Sequence, residues 1–111
     1  MQMVELARQI IATYERHGWS LRRVLLRPDT KRDIGSPAEN LFGQAELRDS
    51  NFDALWFARA SHAHREAWEL RFISEQPYAL FEAFEADEAE EDREEARHEM
   101  ENRMREHAGQ R

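Results

Sequence analysis

Cysteine is absent from this sequence, and glycine and proline are scarce, with four and three residues among 111. Without cysteine the chain can form no disulfide, no thiolate nucleophile and no cysteine-ligated zinc site. Four glycines leave little material for phosphate-binding loops, and the motifs GxxxxGK, GxGxxG and GxSxG do not occur. Nucleotide hydrolysis and dinucleotide redox chemistry are therefore disfavoured, and we expect no cofactor.

Long apolar runs are also missing. The longest, such as residues 55–58, cover a few positions, whereas ~20 are needed to cross a bilayer. No basic-then-apolar leader precedes them. We expect a soluble cytoplasmic protein without a membrane contact, and the length of the chain suits one domain with a single modest core.

Charge is concentrated at one end of the chain. The net charge is −7, of which residues 85–111 carry −6 through 11 acidic and 5 basic residues. Nucleic-acid binding usually depends on a basic field across a domain, so the overall acidity makes it an unlikely activity. We expect a compact domain over residues 1–86 and an acidic C-terminal helix over 87–111, packed on that domain or projecting from it.

Apolar spacing predicts an α+β protein with an N-terminal helix, an antiparallel sheet of four or five strands and a long charged C-terminal helix. Residues 2–17 have apolar positions three and four apart, and Gly18 follows as the natural stop. Residues 19–27, 52–59, 66–74 and 78–85 are rich in aliphatic and aromatic residues and predict strands. A short strand over 44–48 and a single helical turn from Pro37 to Leu41 are predicted between them.

A hairpin with its tip at Glu75 and Gln76 predicts the pairing of the last strands. Leu70 would then face Phe81, and Arg59 would face Glu66 across the preceding hairpin. The resulting core layer contains six side chains on one face: Leu55, Phe57, Trp68, Leu70, Phe72 and Phe81.

The opposite face of this sheet is more apolar than a solvated surface, so a helix of the same chain or a second copy should cover part of it. The C-terminal helix should begin at Asp87 with Glu90 completing a capping box, and its apolar stripe is thin: Ala89, Ala96, Met100 and Met104. We predict an interaction surface that combines both elements: Trp56, Ile73, Tyr78, Leu80, Phe84, Met100 and Met104.

His62, His64 and Glu66 alternate along the sequence. In an extended chain they would point the same way and could offer two imidazoles and a carboxylate to zinc or nickel. A polar hairpin loop with solvated histidines explains the same pattern and is favoured.

Five basic residues lie within a span of eleven positions in and after the first predicted strand: Arg22, Arg23, Arg27, Lys31 and Arg32. They could keep a solvated edge strand from pairing with another chain, dock against the acidic C-terminal helix, or bind an external anion or RNA. The first of these is favoured.

By element order the chain resembles the small dimeric secretion chaperones, a resemblance that implies a fold that cradles other polypeptides. No catalytic residue set stands out, so an enzyme is less expected than a protein-interaction or adaptor module that acts as a homodimer. A metal-binding protein or enzyme using His62, His64 and Glu66, and an anion- or RNA-binding protein using the basic cluster, are the alternatives.

Overall fold

The computed structural model describes residues 3–35 and 37–110, leaving aside the side chains of 37–39. The fold is α+β, as predicted, with a five-stranded sheet in the order β2-β1-β3-β4-β5. The elements in chain order are α1 (Met3–Arg16), β1 (Ser20–Leu26), α2 (Pro28–Ile34), α3 (Pro37–Phe42), β2 (Glu46–Asp49), β3 (Ala54–Ala60), a 3₁₀ turn (His62–His64), β4 (Glu66–Phe72), β5 (Ala79–Phe84) and α4 (Glu90–Gly109).

The sheet is mixed because β2 runs parallel to β1, whereas the other three pairings are antiparallel. The parallel pair requires a crossover, which α2 and α3 supply. Helix α2 was not predicted from the sequence. Asp53 anchors its first turn, since its carboxylate accepts the backbone N–H of Arg27 at 2.8 Å and the hydroxyl of Thr30 at 2.9 Å. No helix in the described ranges is long and apolar enough to span a membrane.

Helix α1 covers one face of the sheet. Its buried residues Ala7, Ile10 and Ile11 belong to a core with Leu55 and Phe57 of β3. Gly18 follows with φ of +86°, a left-handed conformation that glycine adopts without strain, so the predicted helix end is confirmed. Residues Gln2 and Ser36, which the sequence placed in or beside helices, lie outside the described residues.

The predicted strand register is wrong by one residue in both hairpins. Leu70 faces Leu80 and Trp56 instead of Phe81 and Leu55, and Glu66 faces Ala60 instead of Arg59. The β4–β5 connection is longer than the assumed tip, because Phe72 donates its backbone N–H to Tyr78 and the loop covers residues 73–77. The six predicted core residues therefore divide between two faces.

Helix α4 covers the face opposite α1. It forms a second core in which Met100 and Met104 pack with Trp56, Leu70 and Phe84. It begins at Glu90 with Ala89 at the N-cap and no side-chain capping bond, so the capping box predicted at Asp87 is wrong.

Arg97 is a charged residue of α4 that is buried between this helix and the sheet, with 1% of its surface exposed. Its guanidinium lies 4.2 Å from the ring centroid of Trp68 and 5.5 Å from that of Phe84. It donates to the carboxylates of Glu90 and Glu94 on its own helix. Burial of this charge is possible because its hydrogen bonds and its stacking on aromatic rings replace water.

Glu94 links α4 to the sheet through Arg23, whose Nη1 and Nη2 atoms donate to the Glu94 carboxylate at 2.8 and 3.0 Å. A bulge between Leu21 and Arg23 turns Arg23 to the α4 side of β1. Arg23 and its hydrogen bonds with Glu94 hold the pKa of that carboxyl at about 2, with Arg97 assisting.

We expect Arg97→Ala to lower the free energy of unfolding by about 3 kcal/mol, since it removes a buried group that packs on two rings and pairs with two carboxylates. Denaturant unfolding followed by tryptophan fluorescence measures this. Arg103→Ala is the matched control, because Arg103 is an exposed arginine of the same helix, and we expect it to change stability by less than about 0.5 kcal/mol. Equal losses in both variants would contradict the role given to Arg97.

Stability should also fall in acid through Glu94. Its folded pKa of about 2 lies below the ordinary value of 4.5, so the pair stabilises the fold above that value and the contribution disappears as pH falls toward 2. Because the Glu94 side chain is 45% exposed, we expect Glu94→Gln to cost only about 1 kcal/mol at pH 7. Unfolding curves between pH 7 and pH 2 should show the two proteins converging, and a constant difference would refute this.

Candidate interaction surface

Strand β5 is one of the two sheet edges and carries the most exposed large apolar side chain among the described residues. Phe81 lies in its centre with 58% of its surface exposed. The opposite edge, β2, consists of Glu46, Leu47, Arg48 and Asp49, a charged sequence of the kind that keeps edges from pairing. Strand β5 has the sequence ALFEAF, with no basic residue, no proline and Glu82 as its only charge.

The backbone pattern shows which groups of β5 face outward. Phe72 and Tyr78 are directly opposite, and Phe72 donates to the Tyr78 carbonyl at 3.0 Å, which makes them a hydrogen-bonded pair. Because such pairs alternate along an antiparallel ladder, the even-numbered residues of β5 bond to β4. The N–H and C=O groups of Ala79, Phe81 and Ala83 therefore point to the free edge.

The same three residues share the α1 face of the sheet. Phe81 faces Glu69 on β4, and its ring meets the ring of Trp19 edge-on, with centroids 6.4 Å apart. Helix α1 packs on the inner strands and does not cover Phe81. The α1 face of β5 is therefore apolar and open to solvent.

Tyr14 marks the boundary between the covered and the open parts of that face. Its ring stacks on Phe57 with centroids 4.1 Å apart, and its hydroxyl donates to Glu69. Burial raises the pKa of Tyr14, and the hydrogen bond to Glu69 adds to this effect. Tyr14 thus remains a protonated donor, and Glu69 is held beside Phe81.

Most of the predicted interaction surface is interior. Between 0% and 9% of the surface is exposed for five of its members, which lie at the contact between α4 and the sheet: Trp56, Leu80, Phe84, Met100 and Met104. Tyr78 stacks on His107 of the same helix at 3.5 Å, and Ile73 belongs to the core under α1. A helix of the same chain, the first of the two predicted covers, therefore occupies that face, and none of these residues forms an open docking surface.

The structure does not align His62, His64 and Glu66 as an extended chain would. The two histidines lie in the exposed 3₁₀ turn, where Ala63 and His64 have positive φ angles, so the alternation is lost. Glu66 accepts the indole N–H of Trp68 at 2.7 Å and pairs with Arg93. Within residues 3–35 and 37–110 no group of three His, Asp or Glu side chains is placed to hold a metal ion.

The basic cluster divides into residues with different partners. Arg23 docks against α4, as one of the predicted alternatives required, whereas Arg27 pairs with Asp29 and Lys31 lies 3.7 Å from Asp49. Strand β1 lies between β2 and β3, so the favoured interpretation of a charged edge strand is wrong, and Arg27 follows the end of this strand. Arg22 and Arg32 are exposed. The structure therefore does not gather the five into one patch.

Sequence reasoning missed Phe81 as a surface residue because it placed Phe81 opposite Leu70 in the core. One signal was present: Pro77 lies beside the assumed two-residue tip, and proline donates no hydrogen bond to a ladder. A longer loop would have moved Phe81 to the other face.

Comparison of the chain with protein-family models, with the curated proteins and with solved structures finds no match. The likeness to secretion chaperones accordingly remains one of element order alone.

Proposed function

We propose that this chain is a protein-interaction module that acts as a homodimer, in which the β5 strands of two copies pair edge to edge. One observation carries the proposal: the outward-bonding residues of β5 are all apolar and lie on its open side, with Phe81 at their centre, Ala79 exposed and Ala83 half-buried. Strand addition at a sheet edge uses such backbone groups for affinity and alternate side chains for specificity.

A second copy fits this edge because the strand is self-complementary about Phe81. In an antiparallel pair with a two-fold axis at Phe81, that residue faces its own equivalent, and Ala79 faces Ala83 of the second copy. All three contacts are between apolar side chains on the α1 faces. The three outward residues of each strand would exchange N–H···O=C bonds, which continues the sheet across both copies.

Pairings of the two β5 strands with the two-fold axis at a neighbouring residue are less favourable. A two-fold axis at Glu82 places two carboxylates directly opposite. An axis at Leu80 places Ala83 opposite Pro77, which lies outside the strand and has no N–H to donate. With the axis at Phe81, Glu82 instead lies opposite Leu80 on the α4 side. The sequence of the strand therefore selects one arrangement.

The α4 side of β5 does not offer a comparable surface. Leu80 and Phe84 are buried there against α4, and Tyr78 is stacked on His107. The dimer contact is consequently limited to the strand backbone and the side chains of Ala79, Phe81 and Ala83. Such an interface is small, so its affinity should depend strongly on Phe81, the one aromatic residue that each copy contributes.

We expect light scattering after size exclusion at about 100 μM to give twice the mass of the chain, and Phe81→Lys to give the monomer mass with an unchanged circular dichroism spectrum. Lysine at this position puts two positive charges face to face across the axis. Leu47→Lys is the matched control, since Leu47 is the exposed apolar residue of the other edge strand, and it should remain dimeric.

A backbone variant separates strand pairing from simple apolar contact. Ala79→Pro removes an outward N–H that does not bond to β4, at the first position of the strand where proline is tolerated. We expect weaker dimerisation with little change in thermal stability. A monomeric wild-type protein, a dimeric Phe81→Lys variant, or dissociation by Leu47→Lys would each overturn the proposal.

A further inference from the structure

A cleft of about 470 Å³ lies where the end of α1 meets the end of β3, lined by His17, Gly18, Arg59, Ala60, Ser61 and His62. Three of these six residues have basic side chains and none is acidic. In a chain with 23 acidic residues, a concave site whose polar side chains are one arginine, two histidines and one serine is a distinct electrostatic feature.

Arg59 is fixed in this cleft without a carboxylate partner. Its Nη1 donates to the backbone carbonyl of His17 at 2.9 Å, and its guanidinium lies 4.5 Å from the ring centroid of Trp19. No Asp or Glu of the described residues lies within ion-pair distance of it. One hydrogen bond occupies only part of its fork, so donors remain for a ligand.

The observed register explains why Arg59 has no acidic partner. Glu66, the residue expected to pair with it, faces Ala60 and is on the α4 side, where it binds Trp68 and Arg93. On the α1 side Arg59 faces Ala67, and Glu69, the carboxylate of that face of β4, accepts the Tyr14 hydroxyl.

The β3–β4 loop adds further donors, and His17 borders the cleft. The Nδ1 atom of His17 lies 2.8 Å from the carbonyl oxygen of Thr13, so it carries the proton of that bond, and Nε2 donates to an oxyanion only when the ring is protonated. Ser61 contributes a hydroxyl, and His62 an exposed imidazole. Gly18 and Ala60 have little or no side chain, which leaves the cleft open between these groups.

We propose that this cleft binds an oxyanion, a phosphate group in free form or as the end of a small phosphate ester, with Arg59 as the principal ligand. A planar guanidinium that is held in place by stacking suits bidentate binding to phosphate oxygens. The proposed site is distinct from the β5 edge and does not depend on dimer formation.

Inorganic phosphate is the probe, added at constant ionic strength to ¹⁵N-labelled protein. We expect saturable shifts of the Gly18, Ser61 and His62 amide signals, and about tenfold weaker binding in Arg59→Gln. His62→Ala should weaken binding less, and it keeps the test decisive if Arg59→Gln disturbs the packing on Trp19. Arg103→Gln, which removes an exposed arginine of α4, is the matched control and should bind as the wild type does.

Acetate and methyl phosphate are the comparison ligands. Methyl phosphate should bind at the same amides as phosphate, whereas acetate, with one charge, should bind more weakly. Shifts that do not saturate, shifts equal for acetate and phosphate, or equal affinity in the wild type and in both cleft variants would overturn the proposal.

Discussion

The structure depends on the docking of α4 through Arg97. This helix is mostly charged, and its buried residues are Arg97, Met100 and Met104. Two methionines alone would hold it weakly, but the guanidinium adds contact with Trp68 and Phe84 while Glu90 and Glu94 neutralise its charge. The second face of the sheet is thereby buried within one chain.

Burial of both faces determines which surfaces remain for a partner. Every residue of β3 from Ala54 to Ala58 is fully buried, so the faces of the central strands are closed and only the edges and ends of the sheet are accessible. The charged residues of β2 keep that edge from pairing with another strand, whereas the β5 edge exposes Phe81. The same register leaves Arg59 unpaired at the end of β3, so the two proposed sites share one structural origin.

The sequence predicted the fold class, α1 and the approximate positions of all five strands, because these depend on local apolar spacing and on stops such as Gly18. It did not predict the register. Alternation sets register where one face is exposed to solvent. Strand β3 is apolar at consecutive positions and β5 has apolar residues on both faces, so the pattern favoured a pairing one residue away from the observed one. The expected burial of Phe81 depended on this choice, whereas Trp56 and Phe84 are buried because α4 covers their face of the sheet.

Composition and short-range pattern by themselves determined that the chain has no cysteine chemistry and no phosphate-binding glycine loop, and that its elements are two long helices around a set of strands. Only tertiary structure decided which side of the strands each helix covers, that Arg23 and Arg97 bind α4 to the sheet, that Phe81 is exposed, and that Arg59 has no acidic partner among the described residues. The physical reason is that these outcomes come from contacts between residues far apart in sequence, and the energy of such contacts is not encoded in any single segment.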